Sequence, residues 1–337
     1  MSIAEPKAVE SMNCDPGRLP DGVLESERPL LLKDLVAEWP LVEAAKQSAN
    51  AADSYLREFY NGKPVTVSVG PPEIDGRIFY NDDLSDFNFV MRRARLDAFL
   101  DALRQHRGDD KPPVHYVGST TVDYILPGIR EHNDLSLGDV EPLVSIWLGN
   151  QTCIAAHFDV PDNVACVVAG RRRFTLFPPD QLENLYVGPL DYAPAGQSIS
   201  LVDLREPDFE KFPRFRTALQ HAQVADMQPG DALFIPSMWW HHVLGLESFN
   251  VLINYWWRSV PDWMGNPMDV LNHALLSIRD LPDAQRKIWQ NIFAHYDFEP
   301  DDEVVAHIPE GARGVMAPID EPTARKLRGL LLKRLNR

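Results

Sequence analysis

The chain has 337 residues, of which 45% are hydrophobic, so it can bury at least one sizeable core. Its formal charge of −16 argues against a general attraction to nucleic acid phosphates, which requires a positive surface, although it is compatible with a local basic patch. No apolar run reaches the roughly 18 residues that cross a bilayer, and the start lacks a basic region followed by an apolar one, so neither a membrane protein nor a secreted protein is expected.

The first part of the chain predicts a mixture of strands and helices. Residues 1–27 show little periodicity and predict a loosely ordered lead-in. Residues 30–36 and 64–69 favour strands, whereas 51–60 and 93–107 have apolar residues at helical spacing.

The rest of the chain divides into a strand-rich part and a helical part. Strands dominate from Val114 to Trp257, interrupted at residues 186–215 by a segment rich in Pro and Asp that could shape a substrate entrance. After Trp257, apolar residues recur at helical spacing, which predicts helices at 268–281, 283–295 and 321–335. The last of these is amphipathic, and a membrane surface, the protein's own core or a partner subunit could each cover its apolar side.

A His-Phe-Asp triplet in the strand-rich part predicts a metal site. Alternate side chains of a strand point to the same face, so His157 and Asp159 project together while Phe158 packs on the other side. Two imidazoles and one carboxylate can occupy one face of an octahedral metal, the arrangement of non-haem Fe(II) oxygenases. The triplet alone is also compatible with a surface turn or an ordinary strand histidine.

The third ligand is predicted from a Ser-Met-Trp-Trp-His-His run. A Pro-Gly turn and a short apolar strand precede it, and His241 and His242 end it. Alternation places the two histidines on opposite faces, so one at most can share the cavity of His157. The residues alone do not choose between them.

Four motifs together resemble the cupin-like branch of the Jumonji-C Fe(II)/2-oxoglutarate oxygenases, which contains a protein asparaginyl hydroxylase. They occupy residues 155–163, 170–181, 210–215 and 229–242, and a weaker match covers 28–40. The resemblance implies His241 as the third iron ligand, together with His157 and Asp159. It also implies Fe(II) and 2-oxoglutarate as cofactors, and a homodimer formed through C-terminal helices.

The resemblance further implies a site for 2-oxoglutarate. Arg172 stands where family members have a lysine that binds the distal carboxylate, and Ile154 replaces a threonine that would supply a hydroxyl. An arginine can bind a carboxylate through two hydrogen bonds, although the three consecutive arginines could also form a solvated hairpin tip. Tyr116 matches a tyrosine that helps to hold the same carboxylate, and Asn163 and Asn254 match asparagines that line the metal chamber.

We therefore predict a mainly β protein: a double-stranded β-helix (jelly-roll or cupin) core with N-terminal α/β elements and a C-terminal helical segment. The predicted organisation is a lead-in at 1–27, an oxygenase domain at 28–258 and a helical segment at 259–337 for dimerisation. The three cysteines, Cys14, Cys153 and Cys166, form no closely spaced pair, which favours a reducing cytoplasm.

The predicted activity is hydroxylation of a C–H bond with release of succinate and CO2; the resemblance favours a protein or peptide side chain as the substrate, and a small molecule is the alternative. Two alternatives remain at this stage. One is a cupin that binds a metal without turnover, and the other is a Zn or Mn cupin that catalyses hydrolysis or isomerisation.

Overall fold

The computed structural model describes residues 6–194, 196–299, 301 and 303–336. It separates into two compact units, one ending at Ser259 and the other beginning at Val260. The functional roles predicted for 28–258 and 259–337 remain predictions.

The described part of the first unit contains fifteen strands. In chain order they are β1 Lys7–Ala8, β2 Glu10–Asn13, β3 Leu30–Lys33, β4 Pro64–Gly70, β5 Arg77–Ile78, β6 Val90–Arg95, β7 Val114–Thr121, β8 Leu143–Gly149, β9 Cys153–His157, β10 Asp162–Ala169, β11 Arg172–Phe177, β12 Gln223–Met227, β13 Ala232–Ile235, β14 Trp240–Gly245 and β15 Asn250–Trp257.

These strands form two sheets. One has the order β1-β12-β11-β14-β9-β5, and the other has the order β2-β3-β13-β10-β15-β8-β7-β4-β6. The eight strands β8 to β15 supply four neighbouring antiparallel strands to each sheet. Apolar residues of both sheets, such as Phe174, Val243 and Leu252, pack together between them. The predicted jelly-roll core is thus confirmed.

Helices cover the outer faces of the sheets. Against the nine-stranded sheet pack α1 Pro40–Gln47, α2 Ala49–Phe59, α3 Leu96–Gln105 and α4 Val122–Ile125. On the outer face of the six-stranded sheet, α5 Phe215–His221 packs together with Leu185, which follows the 3-10 helix Pro179–Asn184, and with Val202. These layers bury outward-facing sheet residues such as Val65, Val67 and Phe177.

Three predictions for the N-terminal part were wrong in detail. The lead-in is not unstructured, because β1 pairs in parallel with β12 and β2 with β3. The strand predicted at 30–36 ends at Lys33, since Asp34 has a left-handed φ of 60°. The helix predicted from Arg93 begins only at Leu96, because residues 90–95 pair with β4 as a strand.

The described part of the second unit is helical. It contains α6 Pro267–Ser277, α7 Asp283–Phe293, a π-helical turn Ala294–Phe298, α8 Glu303–Ala306, the 3-10 turns Glu310–Ala312 and Gly314–Met316, and α9 Glu321–Leu335. The Asn266 and Asp320 side chains cap α6 and α9 by accepting backbone hydrogen bonds. None of the helices in the described ranges combines the length and hydropathy needed to cross a bilayer.

Candidate metal and cosubstrate site

Three side chains that the sequence singled out meet between the two sheets. His157 ends β9, His241 lies on β14, and the two are register partners whose ring centroids are 4.3 Å apart. The Asp159 Oδ2 atom lies 3.6 Å from His241 Nε2. One potential ligand atom from each residue lies within 4.8 Å of the others, which is close enough for one metal ion.

The prediction that Asp159 lies on the same strand as His157 was wrong, because Asp159 reaches this position from a loop. Strand β9 stops at His157, and the Met238 N–H donates a hydrogen bond of 2.9 Å to the Asp159 carbonyl. This bond links the loop after β9, which carries Asp159, to the turn before β14, the strand that carries His241. The positions of these two residues are therefore fixed relative to each other. Phe158 points away and packs edge-on against Trp240, as alternation predicted.

The hydrogen bonds of the two imidazoles suit metal coordination. His157 Nδ1 lies 2.9 Å from the Ala155 carbonyl, and His241 Nδ1 lies 3.0 Å from the Trp239 carbonyl. Because a carbonyl oxygen only accepts, each Nδ1 carries the proton and each Nε2 keeps a free lone pair. Burial lowers the pKa of His241 to about 4, so its imidazole is neutral near pH 7.

The structure groups His241, and not His242, with His157 and Asp159, a choice that strand alternation left open and that the family resemblance made in favour of His241. His242 is buried on the other face of β14, where its Nε2 lies 3.3 Å from the Cys153 Sγ atom. Burial lowers the pKa of His242 to about 3. Trp239 and Trp240 also pack within apolar clusters and do not line the cavity, whereas Phe174 does.

Arg172 is buried and points into the same cavity. It is 3% exposed, and its Nε has no hydrogen-bond partner among the described residues. Burial lowers the pKa of its guanidinium to about 10, so it remains charged at pH 7. Arg171 and Arg173 instead form exposed ion pairs with Glu247 and Asp226. The hairpin thus directs one arginine inward and two outward.

The turn before Arg172 requires glycine. Gly170 has a φ of +72°, and a Cβ there would lie 2.5 Å from the Phe249 carbonyl oxygen. The loop can therefore approach β15 closely, and β11 begins two residues later with Arg172 facing the cavity.

Tyr116, Asn163 and Asn254 line the cavity as well, together with a residue that sequence analysis missed. The Trp147 Nε1–H donates to Asn254 Oδ1 at 2.7 Å, and Asn254 Nδ2 donates to Asn163 Oδ1 at 3.2 Å. Trp147 alternates with buried Ile146 and Leu148, a pattern that could have identified it as inward-facing. Its bond fixes the orientation of both asparagine side chains.

The cavity has a volume of about 380 Å³. It holds the His-Asp-His cluster, the Arg172 guanidinium and the Tyr116 hydroxyl, whose pKa is raised by burial so that it remains a donor. Ile154 also lines it, in the position where relatives were expected to carry a hydroxyl. An enclosed space with metal ligands and an unpaired cation can bind a small dianion that also reaches the metal.

Comparison with known proteins fits this geometry. The profile of the cupin-like domain family matches residues 16–263, which is more than half of the chain. The chain belongs to the cupin-like domain family. This is the cupin-like Jumonji-C group, whose members are typically Fe(II)/2-oxoglutarate oxygenases.

Several curated proteins resemble the chain. The tRNA wybutosine-synthesizing protein 5 of Gallus gallus is 32% identical over 148 residues, which cover 40% of this chain and 43% of that protein. Lysine-specific demethylase 8 of Xenopus tropicalis is 26% identical over 241 residues, covering 70% and 49%. JmjC domain-containing protein D of Dictyostelium discoideum is 25% identical over 244 residues, covering 66% and 50%. The matches span half or less of these relatives. The likeness to the asparaginyl hydroxylase in particular remains a prediction.

Proposed function

We propose that the protein is an Fe(II)- and 2-oxoglutarate-dependent oxygenase that hydroxylates a C–H bond. The observation that carries this proposal is the placement of buried, unpaired Arg172 in the same cavity as the His157, Asp159 and His241 cluster. A metal-binding cupin without this cosubstrate would have no use for a buried cation, whose desolvation destabilises the fold.

Each residue has a defined role in this proposal. The two imidazole Nε2 atoms and the Asp159 carboxylate would hold Fe(II). Arg172 and Tyr116 bind the distal carboxylate of 2-oxoglutarate and thereby orient its 2-oxo acid end toward the metal. Trp147 holds the side chain of Asn254, and through it that of Asn163, in one orientation in the cavity wall.

Bound iron supplies the oxygen chemistry, and the chain supplies geometry and a largely enclosed pocket. The balanced reaction converts substrate C–H, O2 and 2-oxoglutarate into substrate C–OH, succinate and CO2. One oxygen atom enters the substrate and the other enters succinate.

We further propose that the substrate is a protein or peptide side chain. Two features support this: the cavity opens to solvent past the exposed Met91, and relatives include proteins named lysine-specific demethylases. A small-molecule substrate is the alternative. We place the reaction in the cytoplasm, where the reduced cysteines Cys14, Cys153 and Cys166 would be maintained.

The test is succinate release from 2-oxoglutarate by the chain supplied with Fe(II) and ascorbate. Asp159→Ala removes a ligand and should abolish release, whereas Asp139→Ala, at an exposed position, should not. Anaerobic addition of 2-oxoglutarate to the Fe(II) protein should also produce a metal-to-ligand charge-transfer band. Absence of both the band and succinate would refute the proposal in favour of a metal-binding cupin without turnover.

We also propose that the second unit forms a homodimer. Apolar side chains remain exposed on α9, and they include Leu331 at 48% and Leu332 at 62%. A second copy of the chain could cover them. Light scattering should give twice the mass of one chain, and Leu332→Asp should reduce that mass to the monomer. A monomeric parent chain would refute this proposal.

A further inference from the structure

The nine-stranded sheet carries an exposed inner face beside the cavity. Its last three strands are β7, β4 and β6, and Thr66, Ser68 and Met91 of β4 and β6 line the cavity. Met91 is nevertheless 58% exposed. The floor of the cavity therefore continues outward onto an open sheet surface, which we call the open face.

Strand parity assigns Arg93 to the open face. On β4, Val65 and Val67 are buried on the helix side, where they pair with Ala94 and Arg92 of β6. Thr66 and Ser68 alternate with them and pair with Arg93 and Met91. Arg93 thus lies on the same face as Met91, and Arg92 lies on the opposite face of the same strand.

The charge of Arg93 is not neutralised by the chain. Its guanidinium donates to the Pro64 carbonyl at 3.4 Å, and among the described residues no carboxylate lies within ion-pair distance of it. The next arginine on this face, Arg95, is paired with Asp97 at 2.6 Å. In a chain of formal charge −16, an exposed unpaired guanidinium at the cavity mouth is a candidate for recognising a carboxylate.

The surface between Arg93 and the metal cluster has small side chains. Thr66, Ser68, Gly118 and Ser119 occupy it. A Cβ added at Gly118 would lie 3.4 Å from the Trp147 ring and 3.3 Å from the Tyr116 ring. Larger residues here would press on the cavity wall or fill the surface between Arg93 and the metal cluster. Because the side chains are small, the open face can accommodate an extended chain that lies across the strands.

We propose that the open face binds an extended peptide that carries one acidic residue, with Arg93 pairing with that Asp or Glu side chain. This deepens the proposed function and rests on it. From β6 to β8, whose Trp147 lines the cavity, there are three strand spacings, or about 14 Å. An extended peptide rises about 3.4 Å per residue, so if its reacting residue lies over Trp147, facing the metal cluster, the acidic residue is about four residues away.

A peptide fits this surface better than RNA. The open face offers one unpaired guanidinium, and RNA binding needs a basic surface that follows several phosphates. The acidic character of the rest of the chain would repel a polyanion but would tolerate one carboxylate. Arg93 is therefore a specificity-determining residue.

The test uses a degenerate library of 13-residue peptides incubated with the full chain, Fe(II), 2-oxoglutarate and ascorbate. Tandem mass spectrometry then identifies the peptides that gain one oxygen and the position of the modified residue. Asp and Glu should be enriched at one position about four residues from it. With Arg93→Glu this enrichment should disappear and Lys or Arg should replace it, while Arg93→Lys should keep it. Arg92→Glu, on the opposite face, is the matched control and should give the parental pattern.

For peptides with the selected acidic residue, Arg93→Glu should lower kcat/KM at least about tenfold, mainly through KM, because it repels a remote group. Persistence of the charge-transfer band in Arg93→Glu would show that the metal site is intact. Modified peptides without acidic enrichment, equal effects of Arg92→Glu and Arg93→Glu, or modification of RNA alone would overturn the inference. If the parent chain releases succinate but modifies no peptide, the inference also fails while the oxygenase proposal stands. If it forms neither the band nor succinate, the oxygenase proposal itself fails.

Discussion

Replacing Arg172 by methionine should increase stability and weaken cosubstrate binding at once. Burial lowers the pKa of Arg172 from 12.5 to about 10, which corresponds to about 3 kcal/mol disfavouring the charged form in the folded chain. Methionine has a similar length and no charge to desolvate. The free energy of unfolding without metal or cosubstrate should therefore rise by about 1 to 3 kcal/mol.

The same change removes the predicted anchor for the distal carboxylate. Hydrogen bonds to charged groups contribute about 1.5 to 3 kcal/mol each, so loss of a two-point contact should cost about 3 kcal/mol. The Kd for 2-oxoglutarate should then rise about 100-fold. Arg172→Lys keeps the charge without the planar fork and should lose about tenfold.

Two measurements separate these effects. Urea denaturation of the metal-free chain gives stability, and anaerobic titration of the Fe(II) protein with 2-oxoglutarate gives Kd from the charge-transfer band. Arg171→Met is the control, because Arg171 lies next in sequence but pairs with Glu247 in solvent. An unchanged Kd in Arg172→Met would refute the assignment of Arg172 as the anchor, whatever happened to stability.

Two further predictions concern Ile154, which lines the cavity, and His242, which lies on the opposite face of β14. Ile154→Thr restores the hydroxyl that the family resemblance implies and should lower the Kd for 2-oxoglutarate about fivefold, or about 1 kcal/mol. Ile154→Val is the control for lost packing. Equal Kd values for the two variants would contradict the expectation. For His242, the folded pKa of about 3 lies below the ordinary 6.5, so the unfolded chain takes up the proton first. Its contribution to stability is complete above pH 6.5 and is lost as pH falls toward 3. His242→Gln should reduce the fall in urea midpoint between pH 7.5 and 5, although His241, whose pKa is shifted in the same direction, should keep part of it. An equal fall in both proteins would show that His242 is not responsible.

Local patterns in the sequence predicted much of the fold. The last helix, Glu321–Leu335, follows from helical spacing, and the jelly-roll core was implied by the family resemblance together with the strand-rich pattern; the structure has both. Strand β6 was missed because its Arg-rich segment has no apolar alternation, and only pairing with β4 makes it a strand. Strand β1 was missed because its partner, Gln223–Met227, lies more than two hundred residues away. Tertiary pairing determined both.

Some residues of the candidate site were likewise predicted from local patterns, and others only from the fold. Motifs singled out His157, Asp159 and Arg172, whereas strand alternation could not choose between His241 and His242. The family resemblance implied His241, and the register of β14 against β9 gives the physical reason, because it pairs His241 with His157. Whether Arg172 faced the barrel or solvent depended on the turn at Gly170 and on the partners of its neighbours. Trp147 carries no motif, and its role emerges only from its hydrogen bond to Asn254.

The two ligand imidazoles are each held by a carbonyl two residues earlier in the chain. Their ring orientation is therefore set by the backbone of their own segment and does not depend on the ion. The rotamer entropy of both side chains is lost during folding, so metal binding does not have to supply that free energy again. A chain stripped of its metal should keep its ligands in place and exchange one ion for another without refolding.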